Sequence, residues 1–270
     1  MLYRLDTWEE TNANPVTGEV YDDSWGVFAL TDSKSYNKFV GSVNGCAYTI
    51  KFSRYANKDW RLALCDFIEY NESMEKNIIL VLSKEELKEA KKAYAGHNFR
   101  ETGLRAGEPR FLVHSTSMEG WKSIQEDGLL KSFNRLKIQE EPIGRKLGDP
   151  EDFRDYVMFC GGGVTGEIVV SSRQKGKITM DVNDPYSPGA RLYFNGEKIA
   201  ADGLLIRDGC HLKVKDCLPL KPYLMYVATA EGLGLDAVST PKEFSEKADI
   251  QASFPSIALS GTTIQFRFIA

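Results

Sequence analysis

The sequence predicts an α+β protein with a mostly antiparallel core, few helices and an N-terminal α/β region. Three observations carry that prediction. Short β-branched or aromatic runs recur along the chain. Turns rich in Asn, Asp, Gly and Pro separate them, and few segments carry the three-and-four spacing of a helix. The 270 residues, 42% hydrophobic and 27% charged, are enough to bury one large core or two smaller ones.

From the N-terminus, LYRL (2–5), WGVFAL (25–30) and CAYTIKFS (46–53) read as strands, because such side chains suit a pleated, half-buried surface. Asp32-Ser33-Lys34-Ser35 reads as a helix N-terminus leading into Tyr36, Phe39 and Val40. Ile78–Leu82 is a short apolar run. SKEELKEAKKAYAGHN (83–98) is the clearest helix, with Ser83 as N-cap, Glu86 closing a capping box and Gly96 ending it. FRETGLRAGEP (99–109) is a connector rich in Gly and charge. It separates an N-terminal α+β region, 1–104, from a second domain, 105–270.

In the second domain, YVMF (156–159), EIVV (167–170), KITMDV (177–182), RLYF (191–194), GLLI (203–206), HLKV (211–214), YLMYVA (223–228) and TIQFRF (263–268) read as strands. Asn195-Gly196 and Asp208-Gly209 are expected hairpin turns, and two or three helices interrupt the strands.

A net charge of −4 and a pI near 5.6 argue against broad nucleic-acid affinity, which needs a basic footprint, while leaving room for a local basic cleft. The five cysteines, Cys46, Cys65, Cys160, Cys210 and Cys217, are scattered and lack CxxC spacing, so they read as buried free thiols. His97, His114 and His211 are too dispersed for a metal motif, and no metal is expected. No apolar run is long enough for a membrane span. The first residues lack the basic-then-apolar layout of a signal peptide, so the expected compartment is the cytoplasm.

The most informative stretch is RFLVHSTSMEGWKSIQEDGLL (110–130). Phe111-Leu112-Val113 delivers His114 to the end of a strand. Ser117 can cap a helix whose Trp121 and Ile124 face the core and whose C-terminus is Gly128. Read on spacing alone, His114 is a core histidine with both nitrogens satisfied, or a polar group aimed into a cleft.

His114-Ser115-Thr116, the short helix and Asp127-Gly128-Leu129-Leu130 together resemble the "H-G-T … I … G-L" signature of the ADP-ribosyltransferase superfamily, nearest to its RNA 2′-phosphotransferase branch. That branch opens the next strand with an Arg, as FRDYVMFC (153–160) does with Arg154. A second Arg precedes a strand ending in Val-Asp; SSRQKGKITMDV has Arg173 ahead of Asp181-Val182. Gly203 to Leu224 follows the branch's closing layout loosely. The likeness covers about residues 110–226. Ser115 stands in place of the signature's Gly, an insertion separates Leu130 from Arg154, and no winged-helix pattern or Q-G-H-S motif accompanies it. Residues 3–53 bear a fainter likeness to the start of other ADP-ribosyltransferases.

The resemblance implies a split, mostly antiparallel sheet and NAD⁺ as co-substrate. His114, Ser115 and Thr116 would bind the cofactor. Arg154 and Arg173 would hold the pyrophosphate and a substrate phosphate, where a planar guanidinium donates two hydrogen bonds. The implied acceptor is an RNA 2′-phosphate or another macromolecule such as a protein. Arg135 is a lesser candidate of the same kind. Glu167 and Glu197 could polarise a ribose hydroxyl or simply be structural; Tyr193 and Phe194 could stack on nicotinamide or belong to the core. GGGVTG (161–166) lacks the GxxxxGK(S/T) pattern and precedes an expected strand, so it reads as a mobile loop at the cleft mouth. The alternative is a degenerate, non-enzymatic member of the fold that binds a nucleotide or a partner.

Overall fold

A computed structural model of the chain describes residues 1–34, 38–41, 47–55, 59–96, 103–138 and 149–253. His97 and TIQFRF lie outside these residues. The chain forms two compact units. The first comprises Met1–Thr102, Gln139–Arg154 and Leu205–Lys213; the second comprises Gly103–Ile138, Asp155–Leu204 and Val214–Ala270. No helix among the described residues is long and apolar enough to cross a membrane.

In the first unit, β1 (Leu2–Leu5), β2 (Trp25–Thr31), β3 (Lys38–Gly41), β4 (Tyr48–Ser53) and β5 (Asn77–Val81) form one sheet in the order β1-β5-β2-β4-β3. All neighbours are parallel except β3, which runs antiparallel on the β4 edge. A sheet buried on both faces explains the unbroken apolar runs of β2 and β5. Phe28, Leu30, Ile78 and Leu80 pack with Leu64 and Phe67 of helix α1 (Trp60–Ser73) and Ala90 of α2 (Lys84–Gly96). Val27, Ala29, Ile79 and Val81 pack on the other face with Tyr21, Tyr3 and Trp25. The capping box of α2 forms as expected: Glu86 N–H donates to Ser83 Oγ at 3.1 Å, and Ser83 N–H to Glu86 Oε2 at 2.8 Å.

The helix expected from Asp32 through Val40 is not formed in its described part. Lys38–Gly41 is β3, whose backbone groups pair with an open sheet edge that a short local helix could not offer. Conversely, α1 carries no prior expectation. Asp59 caps it by accepting from Arg61 N–H at 3.0 Å. Later in the chain Ile206 pairs with Lys213 and Arg207 with Leu212, so Asp208–His211 is a hairpin loop of this unit.

The second unit is antiparallel. β6 (Phe111–Thr116), β7 (Leu129–Lys131), β8 (Tyr156–Phe159) and β9 (Ala190–Asn195) are joined by the strands Cys217–Pro219 and Leu224–Thr229. β9 is central, flanked by β6 and Leu224–Thr229, while β7 pairs with Cys217–Pro219 in a separate two-stranded sheet. Thus "mostly antiparallel" describes this unit and not the first. Helix α3 (Met118–Asp127) follows β6 as expected. Ser117 Oγ accepts from Gly120 N–H at 3.1 Å, Trp121 and Ile124 are buried, and Gly128 adopts φ +65°.

Helices are more frequent here than the sequence suggested. EIVV lies inside α4 (Thr165–Lys175), a helix packed against β6 in which Ile168 and Val170 are both buried. Residues 177–182 are turns and irregular chain instead of a strand, and of GLLI only Ile206 is in a strand. Asn195-Gly196 is no hairpin. Asn195 accepts from Lys198 N–H at 2.9 Å and caps α5 (Gly196–Ala201), using the side-chain-to-backbone bond that also suits Asn to turns. The last described helix is α6 (Pro241–Ser253).

Candidate functional site

The site grows from the end of β6. Leu112 and Val113 are buried and fix the strand; His114, next along it, is partly exposed. Its Nδ1 lies 3.1 Å from the Met158 carbonyl oxygen. A carbonyl only accepts, so Nδ1 carries the hydrogen and Nε2 presents a lone pair. Burial holds the imidazole pKa down to about 4; the Arg173 charge adds to that, and the Met158 bond opposes it. His114 is therefore neutral at physiological pH. Phe159 meets the ring edge-on at 6.3 Å between centroids.

Ser115 and Thr116 are held by close packing. Cβ atoms added at Gly166 and Gly120 would lie 2.5 Å from Ser115 Oγ and 2.3 Å from Thr116 Oγ1. One at Gly189 would lie 1.8 Å from the Thr116 carbonyl oxygen. Glycine at these positions lets α4, α3 and the approach to β9 press onto the strand end. Ser115 Oγ donates to Glu167 Oε1 at 2.6 Å, so this hydroxyl is engaged within the protein.

Beneath lies a buried charged cluster that sequence reasoning missed. Arg191, fully buried on β9, donates from Nη2 to Asp249 Oδ1 at 2.8 Å and to the Gly163 carbonyl at 2.9 Å. Its Nε donates to Tyr193 Oη at 2.9 Å, and Nη1 reaches Glu167 Oε1 at 3.4 Å. Tyr193 donates to Asp249 Oδ1 at 2.6 Å and Tyr186 to Glu167 Oε2 at 2.6 Å. Burial pushes both phenols up, and the carboxylates reinforce it. For Arg191, burial is outweighed by its anionic partners, which hold the guanidinium charged. The available signal was an Arg two residues from a Tyr in an apolar strand, a period that puts both on one face.

Of the expected site residues, the second unit holds His114, Ser115, Thr116 and Arg173. Arg173 occupies the exposed last turn of α4 and acts electrostatically on His114. Arg154 belongs to the first unit, in a 3-10 turn ahead of β8, and its Nη1 pairs with Glu151 at 2.7 Å. Arg135 pairs with Asp216, and Glu197 lies 3.6 Å from Arg110. Tyr193 and Phe194 are core residues. The glycine triplet precedes a helix, not a strand. Gly163 is tied on both sides: its N–H donates to Asp249 Oδ2 at 2.8 Å and its carbonyl takes Arg191. The anion at this loop is the protein's own Asp249.

Comparison with protein-family models, with curated proteins and with solved structures finds no match to the chain.

Proposed function

We propose that the second unit is an NAD⁺-dependent transferase of the ADP-ribosyltransferase type. In this reading His114 and Thr116 contact the nicotinamide-side ribose, Ser115 fixes the strand end through Glu167, and Arg173 holds the pyrophosphate. The observation that carries the reading is the neutral His114, its Nδ1 fixed by Met158 and its Nε2 left as an acceptor beside an arginine. Such a ring can accept from a ribose hydroxyl. An imidazolium could not, and it would repel the cationic nicotinamide ring.

The residues' task is modest, because nicotinamide is already a good leaving group. The C1′–N bond breaks as an oxocarbenium-like C1′ forms, and an acceptor oxygen closes the new bond. An RNA 2′-phosphate needs no general base; a protein acceptor does. Glu167 is a poor base, since Ser115, Tyr186 and Arg191 occupy its oxygens. That favours a phosphate acceptor and is also the observation that supports the second reading, a nucleotide-binding module without turnover.

The test is nicotinamide release from NAD⁺ with and without a 2′-phosphorylated RNA oligonucleotide. Release that requires the RNA and dephosphorylates it supports the transferase; release without it points to another acceptor. NAD⁺ at 100 times its Kd should stabilise the fold by about 2.7 kcal/mol. His114→Ala and Arg173→Ala should each abolish that shift while keeping a cooperative melt. Absence of both release and NAD⁺ binding would overturn the transferase and leave the binding module.

A further inference from the structure

The hairpin loop Asp208–His211 of the first unit carries chemistry that the nucleotide reading does not use. It is pressed onto α1: Gly209 has φ +90°, and a Cβ there would lie 2.4 Å from the Ala63 carbonyl oxygen. Asp208 is buried. Its Oδ1 accepts the N–H groups of Cys210 at 2.9 Å and His211 at 2.7 Å. Its Oδ2 lies 3.2 Å from His211 Nδ1 and 2.7 Å from Lys213 Nζ. His211 Nε2 faces Cys210 Sγ at 3.8 Å, and both side chains are partly exposed. Thiol, imidazole and carboxylate thus stand in the order that activates a nucleophile, the carboxylate orienting the ring and the ring facing the sulfur.

We propose that Cys210 is a reactive thiol, held as a thiolate–imidazolium pair by His211 and Asp208, that captures a small disulfide as a mixed disulfide. The proton moves from Sγ to Nε2, and Sγ attacks one sulfur of the disulfide. The new S–S bond forms as the old one breaks, and the expelled thiolate takes the proton from His211. No other oxidant enters. Asp208 is a positioning residue here.

The surroundings favour the ion pair. Burial works against a charged imidazole, but the Asp208 carboxylate outweighs it and lifts His211 to about 10. Among the described residues, the groups around the pair include Tyr48 of β4, whose hydroxyl is 3.4 Å from Nδ1, Lys213, and the Phe153 ring, edge-on to the imidazole at 5.3 Å between centroids. Behind Lys213 stand Tyr70, Asp152 and Lys76; its ammonium lies 3.7 Å from the Tyr70 ring centroid. Lys213 shares Asp208 and moderates, without cancelling, its effect on His211. An acyl-transfer hydrolase is not built by this loop. The N–H groups of Cys210 and His211 are spent on Asp208 Oδ1, so neither can stabilise an oxyanion.

The test uses the full chain and oxidised glutathione, with each mixed disulfide located by peptide mass spectrometry and Cys217 as internal reference. A thiol without an imidazole partner reacts about tenfold faster per pH unit below its pKa near 8.5. Cys210 is expected to react about tenfold faster than Cys217 at pH 6, with a rate that changes less than about twofold up to pH 8. His211→Gln should restore the steep profile and lower the pH 6 rate about tenfold. A wild-type Cys210 profile as steep as that of Cys217 overturns the proposal, as does a flat profile that survives His211→Gln. Where that variant does not fold, the wild-type profile alone decides.

Discussion

Arg191 joins the two carboxylates of the second unit's buried charged cluster. A buried ion pair adds little over an apolar substitute, but removing one partner strands the other in low dielectric. Arg191→Met should therefore cost about 3–5 kcal/mol in urea denaturation, because Glu167 and Asp249 lose their shared cation. Ser115→Ala, which removes one neutral donor to Glu167, should cost about 1 kcal/mol. Near-equal costs for the two would contradict the cluster's assignment. His114 makes a pH-dependent contribution. The unfolded chain binds a proton near pH 6.5 that the folded site accepts only near 4, so the stability it confers is full above 6.5 and lost as pH falls toward 4. His114→Gln should flatten denaturation midpoints across that window.

At the scale of elements, local devices decide where helices start and how closely they approach. Ser83 and Ser117 each satisfy an otherwise orphaned N–H, at Glu86 and at Gly120. Ser83→Ala and Ser117→Ala should each cost about 1 kcal/mol, read from thermal melts. Gly189→Ala is of another order. Its Cβ would meet the backbone oxygen of Thr116, which no rotamer change can relieve, so β6 and the approach to β9 must separate. The expected outcome is loss of the cooperative melt. A wild-type melt would overturn this close approach of the two segments.

At the scale of the whole molecule, each unit has its own core and, among the described residues, one histidine, and these two are displaced in opposite directions. His211 in the first unit binds its proton up to about pH 10, against about 6.5 when unfolded. Its contribution is complete below 6.5 and disappears as pH rises through about 10, the reverse of His114 in the second unit. Hydrogen-exchange protection factors, corrected for intrinsic rates, should thus fall first in the first unit on the alkaline side and first in the second unit on the acid side. Loss of protection in both units at one pH would rule out this division.

What the sequence determined by itself is what neighbouring residues settle among themselves. The capping box at Ser83–Glu86, the Ser117 cap with its Gly128 stop, and the apolar runs of β2 and β5 are complete within a few positions, so local backbone chemistry suffices to read them. Tertiary structure decided the rest. EIVV has strand composition but lies on a helix, because packing against β6 outweighs β-branched propensity. Arg191 meets Glu167 and Asp249 across 24 and 58 residues, and spacing carries no trace of such a meeting. Even Asp208, Cys210 and His211, close together in sequence, read only as part of a turn, a free thiol and the start of a strand. Their chemistry depends on a buried carboxylate, and burial is a property of the folded chain.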